Sequence, residues 1–117
     1  MSDIYWLCTF RLRPGDYDAF KAVVRPLVEM TQKESGCLAY EYSISTDRTA
    51  VHIIERYRTS EDVVSHVTKT FSQFAERFGA LATVMSFDVY GTPNAKAREI
   101  LDGFGAKYFT RFDGFTK

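Results

Sequence analysis

Among the side chains able to do acid–base or nucleophilic chemistry, the chain offers two histidines and two cysteines, set among ten phenylalanines, seven tyrosines and one tryptophan. His66 comes first in interest. It stands next to Val67, in a segment where Val63, Val67, Phe71, Phe74 and Phe78 recur at helical spacing, so its imidazole borders the space between a helix and whatever that helix packs against. An imidazole so placed is a natural general base near neutral pH, and the competing reading is a helix histidine that is merely hydrogen-bonded or partly exposed. His52 shares a strand face with Ile54 and Arg56 and reads as structural or solvent-facing. With no carboxylates at ligand spacing beside either histidine, no zinc or iron site is expected.

Trp6, Cys8 and Phe10 alternate on one face of an extended segment, and with Phe71, Phe74 and Phe78 they make either an aromatic lining for a planar ligand or an ordinary core. Cys8 reads as a pocket wall or as an inert small hydrophobe. Glu55, followed by Arg56 and Arg58, reads as a surface or interface ion pair at a strand end. No Walker loop, GxGxxG, GxSxG, HExxH or paired-cysteine signature occurs, which moves the common cofactor-bound and hydrolytic classes out of the front rank.

The elements that must position these residues follow from periodicity. Residues 4–13 alternate as a strand; Pro14, Gly15 and Asp16 turn the chain, and Tyr17, Phe20, Val24, Leu27 and Val28 mark a helix to about Glu34. Pro26 inside it predicts a bend near Arg25, and Gly36 its stop. Cys37 to Ser45 and Val51 to Arg58 form a hairpin around residues 46–49. Thr59 to Asp62 resembles a capping box opening a helix that the Thr68, Lys69, Thr70 interval divides and Gly79 closes. Ala82 to Tyr90 is a last strand, and Asn94 caps a short helix over Ala95 to Leu101. The order β-α-β-β-α-β predicts an α+β, ferredoxin-like split βαβ: an antiparallel sheet with both helices on one face and a C-terminal helical extension. Domain limits of 1–91 and 92–117 follow, the extension packing on its own or a partner subunit. Leu38, Tyr40, Tyr42, Ile44, Met85, Phe87 and Val89 are too many for one side, so the uncovered face is expected to be apolar and to join two copies, Tyr42 and Phe87 among its residues.

At 117 residues the chain is sized for one domain, and 45% hydrophobic residues suffice for a core. Fifteen basic residues balance fifteen acidic ones, which argues against nucleic acid and anionic membranes as partners. Two cysteines and no apolar run of bilayer length predict a cytoplasmic protein.

The stretch from Glu34 through Tyr42, then Ile54 to Glu61, then His66, resembles the antibiotic biosynthesis monooxygenase family of dimeric α/β barrels. The likeness spans residues 1 to about 91. It implies a homodimer or a higher assembly of such dimers, with a pocket in each subunit between sheet and helices. In the monooxygenase members that pocket oxygenates quinols or polycyclic phenols with molecular oxygen and no cofactor. On that likeness His66 is the base, Trp6, Cys8, Phe10, Phe71 and Phe74 bind substrate, and the partners are a small aromatic molecule and oxygen. Alternatives are a non-catalytic small-ligand-binding dimer and an isomerase of a small carbonyl compound. Ala75 and Glu76 stand where haem-degrading relatives carry a histidine ligand, and Cys8 stands near their asparagine, which disfavours haem.

Overall fold

The structure, a computed structural model, describes residues 3–117. Alternation gives β1 over Ile4–Leu12, with Ile4, Trp6, Cys8 and Leu12 buried against the helices. Helix α1, Tyr17–Gln32, follows and buries Phe20, Val23, Leu27 and Thr31. It is one continuous element with Pro26 inside, and it stops two residues short of the expected end. Leu27 is completely enclosed, a burial that contributes roughly 1.5–3 kcal/mol.

Strands β2 (Cys37–Ile44) and β3 (Ala50–Tyr57) form the expected hairpin, its turn placing Arg48 at φ 65°. Helix α2 covers Ser60–Ser65. A π-turn over His66–Thr70 and a 3₁₀ turn over Phe71–Gln73 then break the helical path before α3, Ala75–Leu81. This is the division expected around Thr68 to Thr70. Strand β4 (Ala82–Tyr90) pairs with β1, and α4 (Ala95–Asp102) is capped by Asn94, whose side chain accepts from the Ala97 amide at 3.0 Å. Asn94 also ties α4 to α2, its amide donating to Ser60 Oγ at 2.9 Å.

With a fifth strand, β5, over Lys107–Phe109, the sheet order is β2-β3-β1-β4-β5, with β1 and β3 antiparallel at its heart, as in the ferredoxin-like fold. The fifth strand lies in a segment not expected to be regular. β5, Lys107–Phe109, pairs parallel to β4, so this part of the extension packs on its own subunit, while Phe112 and Phe115 beyond it are 99% and 78% exposed.

The expected division of sheet faces needs correcting. Register places Tyr40 opposite Glu55, Tyr42 opposite Ile53, and Phe87 opposite Cys8, so Tyr40, Tyr42 and Phe87 face the helices and join the core cluster. Shifts of register beside Leu38 and near Met85 leave those two side chains 51% and 53% exposed. Bulges of this kind swap the face a residue presents, which period-two reading cannot anticipate. The uncovered face instead carries Leu7, Thr9 and Arg11 with Ile54 and Ser86, mixing apolar and polar groups. Thr9 and Ser86 share a hydroxyl hydrogen bond of 2.6 Å across it.

Candidate active site

Three elements bring His66 into place. Thr59 caps α2, its hydroxyl accepting from the Asp62 amide at 3.1 Å and donating to the Asp62 carboxylate at 2.7 Å. Gly36 makes this corner possible, since a Cβ there would overlap the Asp62 carboxylate. The tight turn after α1, closed by the Cys37 amide on the Glu34 carbonyl at 3.2 Å, is thereby locked beside the start of α2. One turn later His66 opens the π-turn, an irregularity frequently found at functional positions.

The imidazole is 2% exposed and lies between two carboxylates. Its Nδ1 is 3.0 Å from Glu34 Oε2, a charge-assisted hydrogen bond to a partly exposed side chain. Its Nε2 is 3.8 Å from Glu55 Oε1, too far for a hydrogen bond but close enough for strong electrostatic coupling. Tyr57 donates its hydroxyl to the same Glu55 oxygen at 2.6 Å. The rings of Tyr40 and Tyr57 flank the imidazole at centroid distances of 5.2 and 5.3 Å.

Burial dominates the electrostatics here. It raises the Glu55 carboxyl above the usual carboxylate range, an effect opposed by the nearby His66 and by the Tyr57 hydroxyl. The Trp6 indole N–H helps hold that value down from nearby without making a formed hydrogen bond. Burial, reinforced by Glu55, also pushes the Cys8 thiol and the Tyr40, Tyr42 and Tyr57 phenols far up. Cys37 is raised to about 11 for the same reason. Cys8 is therefore no nucleophile at neutral pH, and the phenols stay protonated as donors. Proton exchange falls to the imidazole and its carboxylates.

Trp6, Cys8, Phe10, Phe71 and His66 line one cavity of about 50 Å³ between sheet and helices. Phe74 does not line it; its ring is buried at the start of α3 beneath the Arg77 guanidinium, 5.4 Å away, and belongs to the core. His52 is exposed on the other side of the sheet. The structure adds further lining residues: Glu55, which is buried here and not the surface or interface ion pair expected, the paired Tyr40 and Tyr42, and Phe104 from beyond α4, which stacks on Phe87 at 5.9 Å. Glu55 had a readable signal, because it alternates in step with Val51, Ile53 and Tyr57 on the buried side of β3. Glu34 had none; it meets His66 across thirty-two positions of sequence.

The two carboxylates lie against opposite ring nitrogens of His66, so the three groups do not converge on one point. Among the described residues no group of three His, Cys, Asp or Glu side chains could hold a metal ion. Nor is any described helix long and apolar enough to cross a membrane.

The antibiotic biosynthesis monooxygenase family matches over residues 4–77, the span that contains Glu34, Glu55 and His66. The chain belongs to that family. No curated protein matches it by sequence. Among solved structures, MupZ from Pseudomonas fluorescens superposes with a TM-score of 0.88 at 24% identity, covering 100% of this chain and 96% of its own. Rv0793 from Mycobacterium tuberculosis gives 0.67 at 24% identity, over 80% and 97% of the two chains. PA3566 from Pseudomonas aeruginosa gives 0.61 at 23%, over 76% and 90%. These three likenesses show a shared fold. The family match stops before Phe104, so one wall of the cavity comes from outside the family's own segment.

Proposed function

We propose that the protein is a cofactor-independent monooxygenase that oxidises a quinol or polycyclic phenol with molecular oxygen, with His66 as the base. One observation carries this reading: a buried imidazole lines the cavity with its Nδ1 3.0 Å from the Glu34 carboxylate, and an ionised Glu34 there favours the tautomer whose Nε2 lone pair is free to take a proton. That base takes a proton from the substrate's hydroxyl or benzylic position. The resulting anion is electron-rich and gives electrons to oxygen directly; a hydroperoxide forms on carbon, and loss of water leaves a carbonyl. A benzylic CH₂ plus O₂ thus becomes C=O plus H₂O, with the substrate as the only reductant. The protein's part is to take the proton, exclude water and hold the anion with protonated phenol donors.

A second reading rests on Glu55. A carboxyl that burial raises above the usual carboxylate range, 3.8 Å from a histidine, sets an acid beside a base, the arrangement needed to isomerise a small carbonyl compound. For either reaction we propose a homodimer formed by stacking two uncovered sheet faces, on which Leu7 is half-buried and Ile54 47% exposed. The two free cysteines suit a reducing, cytoplasmic setting.

The test is oxygen uptake with hydroquinones and anthrone-type phenols. His66→Ala, folded by circular dichroism, is expected to lose at least about 100-fold in rate, the typical share of a general base. Uptake that survives this substitution would refute the assignment. Turnover under argon selects the isomerase, and saturable binding without turnover a ligand-binding protein.

A further inference from the structure

The cavity at His66 is too small to enclose the whole of a substrate such as those just proposed; it can take only the part that reacts. Sites that enclose an organic molecule usually measure 300 Å³ or more, and about 50 Å³ suits a few waters or the tip of a ligand. A second space lies next door. Between α1 and the edge strand β2 runs an open groove of about 500 Å³, and Tyr40 and Tyr42 line both it and the cavity. Their hydroxyls are hydrogen-bonded at 2.9 Å and their rings meet edge to face at 5.2 Å, which makes the pair a partition one side chain thick.

The groove has its own chemistry. Its α1 wall follows one stripe of the helix from Tyr17 to Gln32, a sixteen-residue element about 24 Å long by helical rise, so it suits an elongated ligand. Phe20, Val24, Val28 and Ile44 give it an apolar strip among polar side chains. Its charged lining is Lys21, Arg25 and Glu29. Lys21 is occupied, 3.4 Å from Asp18 and 4.5 Å from the Tyr17 ring centroid. Arg25 has no ion-pair partner among the described residues, which leaves a guanidinium for an anionic ligand group.

We infer that this groove binds the body of an elongated apolar monocarboxylate, its carboxylate on Arg25 and its far end passing between Tyr40 and Tyr42 to His66. This rests on the reading of the His66 cavity as the reacting site and deepens it: the molecule reacts at its tip and is recognised along its length. The hydroxyl pair is the gate, and its opening joins the two spaces.

Dodecanoate serves as the probe, with binding followed on the imidazole resonances of the labelled full chain. The chain has only two histidines, so His52 on the uncovered face is an internal control. Saturable movement of His66 with His52 unmoved is the expected result. Arg25→Ala is expected to weaken binding at least threefold, as is replacement of dodecanoate by 1-dodecanol. Tyr42→Phe, which removes one hydroxyl of the gate, is expected to speed association about fivefold in stopped-flow mixing. Movement of His52 alone, no saturable binding, or indifference to Arg25 and to the carboxylate would overturn the groove assignment. An unchanged association rate in Tyr42→Phe would overturn the gate. The measurement scores binding in the wild-type chain and needs no turnover, so failure here is separable from failure of the oxygen-uptake test.

Discussion

Glu55→Gln tests the electrostatics of the site without touching its shape. Burial raises the wild-type carboxyl, so the folded state holds a proton that the unfolded chain releases near the ordinary glutamate range of about 4.3. The associated stability is whole below that pH and is lost as pH rises through the raised folded value. Each unit of elevation is worth about 1.4 kcal/mol, which is also the steepest loss per pH unit that one proton can produce. Glutamine keeps the size of the side chain and can still accept from Tyr57, 2.6 Å away in the wild type, but it does not titrate. The variant is therefore expected to gain on wild type as pH rises from about 4.5, at up to about 1.4 kcal/mol per unit, until a plateau marks the folded value. Urea melts followed by fluorescence of Trp6, the only tryptophan and a wall of the same cavity, measure this at each pH. A difference that does not change with pH would refute the reasoning. A variant that loses ground with rising pH would show Glu55 ionised and paired with an imidazolium instead.

Two further outcomes follow from the packing. Gly36→Ala is expected to cost about 1–3 kcal/mol in a urea melt, because the new methyl must displace Asp62, and markedly less in an Asp62→Ala background; equal costs in both backgrounds would exclude that clash. Ile54→Lys, on the uncovered face, is expected to turn the proposed dimer into a folded monomer by sedimentation, whereas an unchanged dimer would put the interface elsewhere.

Most of the scaffold was legible because its signals are local. Alternation in β1, the Thr59 cap, the weak helix formers at Thr68 to Thr70 and the Asn94 cap each act within a few residues. The site was legible in part. His66 and the aromatic walls stand out by residue type, and Glu55 by its place in the alternation, although its charge suggested the surface. What stayed hidden depends on distant partners. The Glu34–His66 bond closes only when α1 and α2 are docked, and Phe104 reaches the cavity only once α4 is seated on α2. The bulges at Leu38 and Met85 turned the sheet faces around, and β5 is three residues long, too short for its pattern to register.

The parallel pairing of β5 reaches beyond the site. By hydrogen-bonding along Asp88 to Tyr90 it shields one rim of the sheet, so β2 presents the remaining unshielded one. That shield is slight: three paired residues, anchored by the Tyr108 hydroxyl on Asp102 at 2.7 Å and by the Arg98 guanidinium over the Tyr108 ring. Cleavage near Gly105 would strip it away and leave two open rims on the same sheet. A chain clipped there becomes a building block able to add neighbours at either end, and colloidal stability, more than catalysis, would be the first property to suffer.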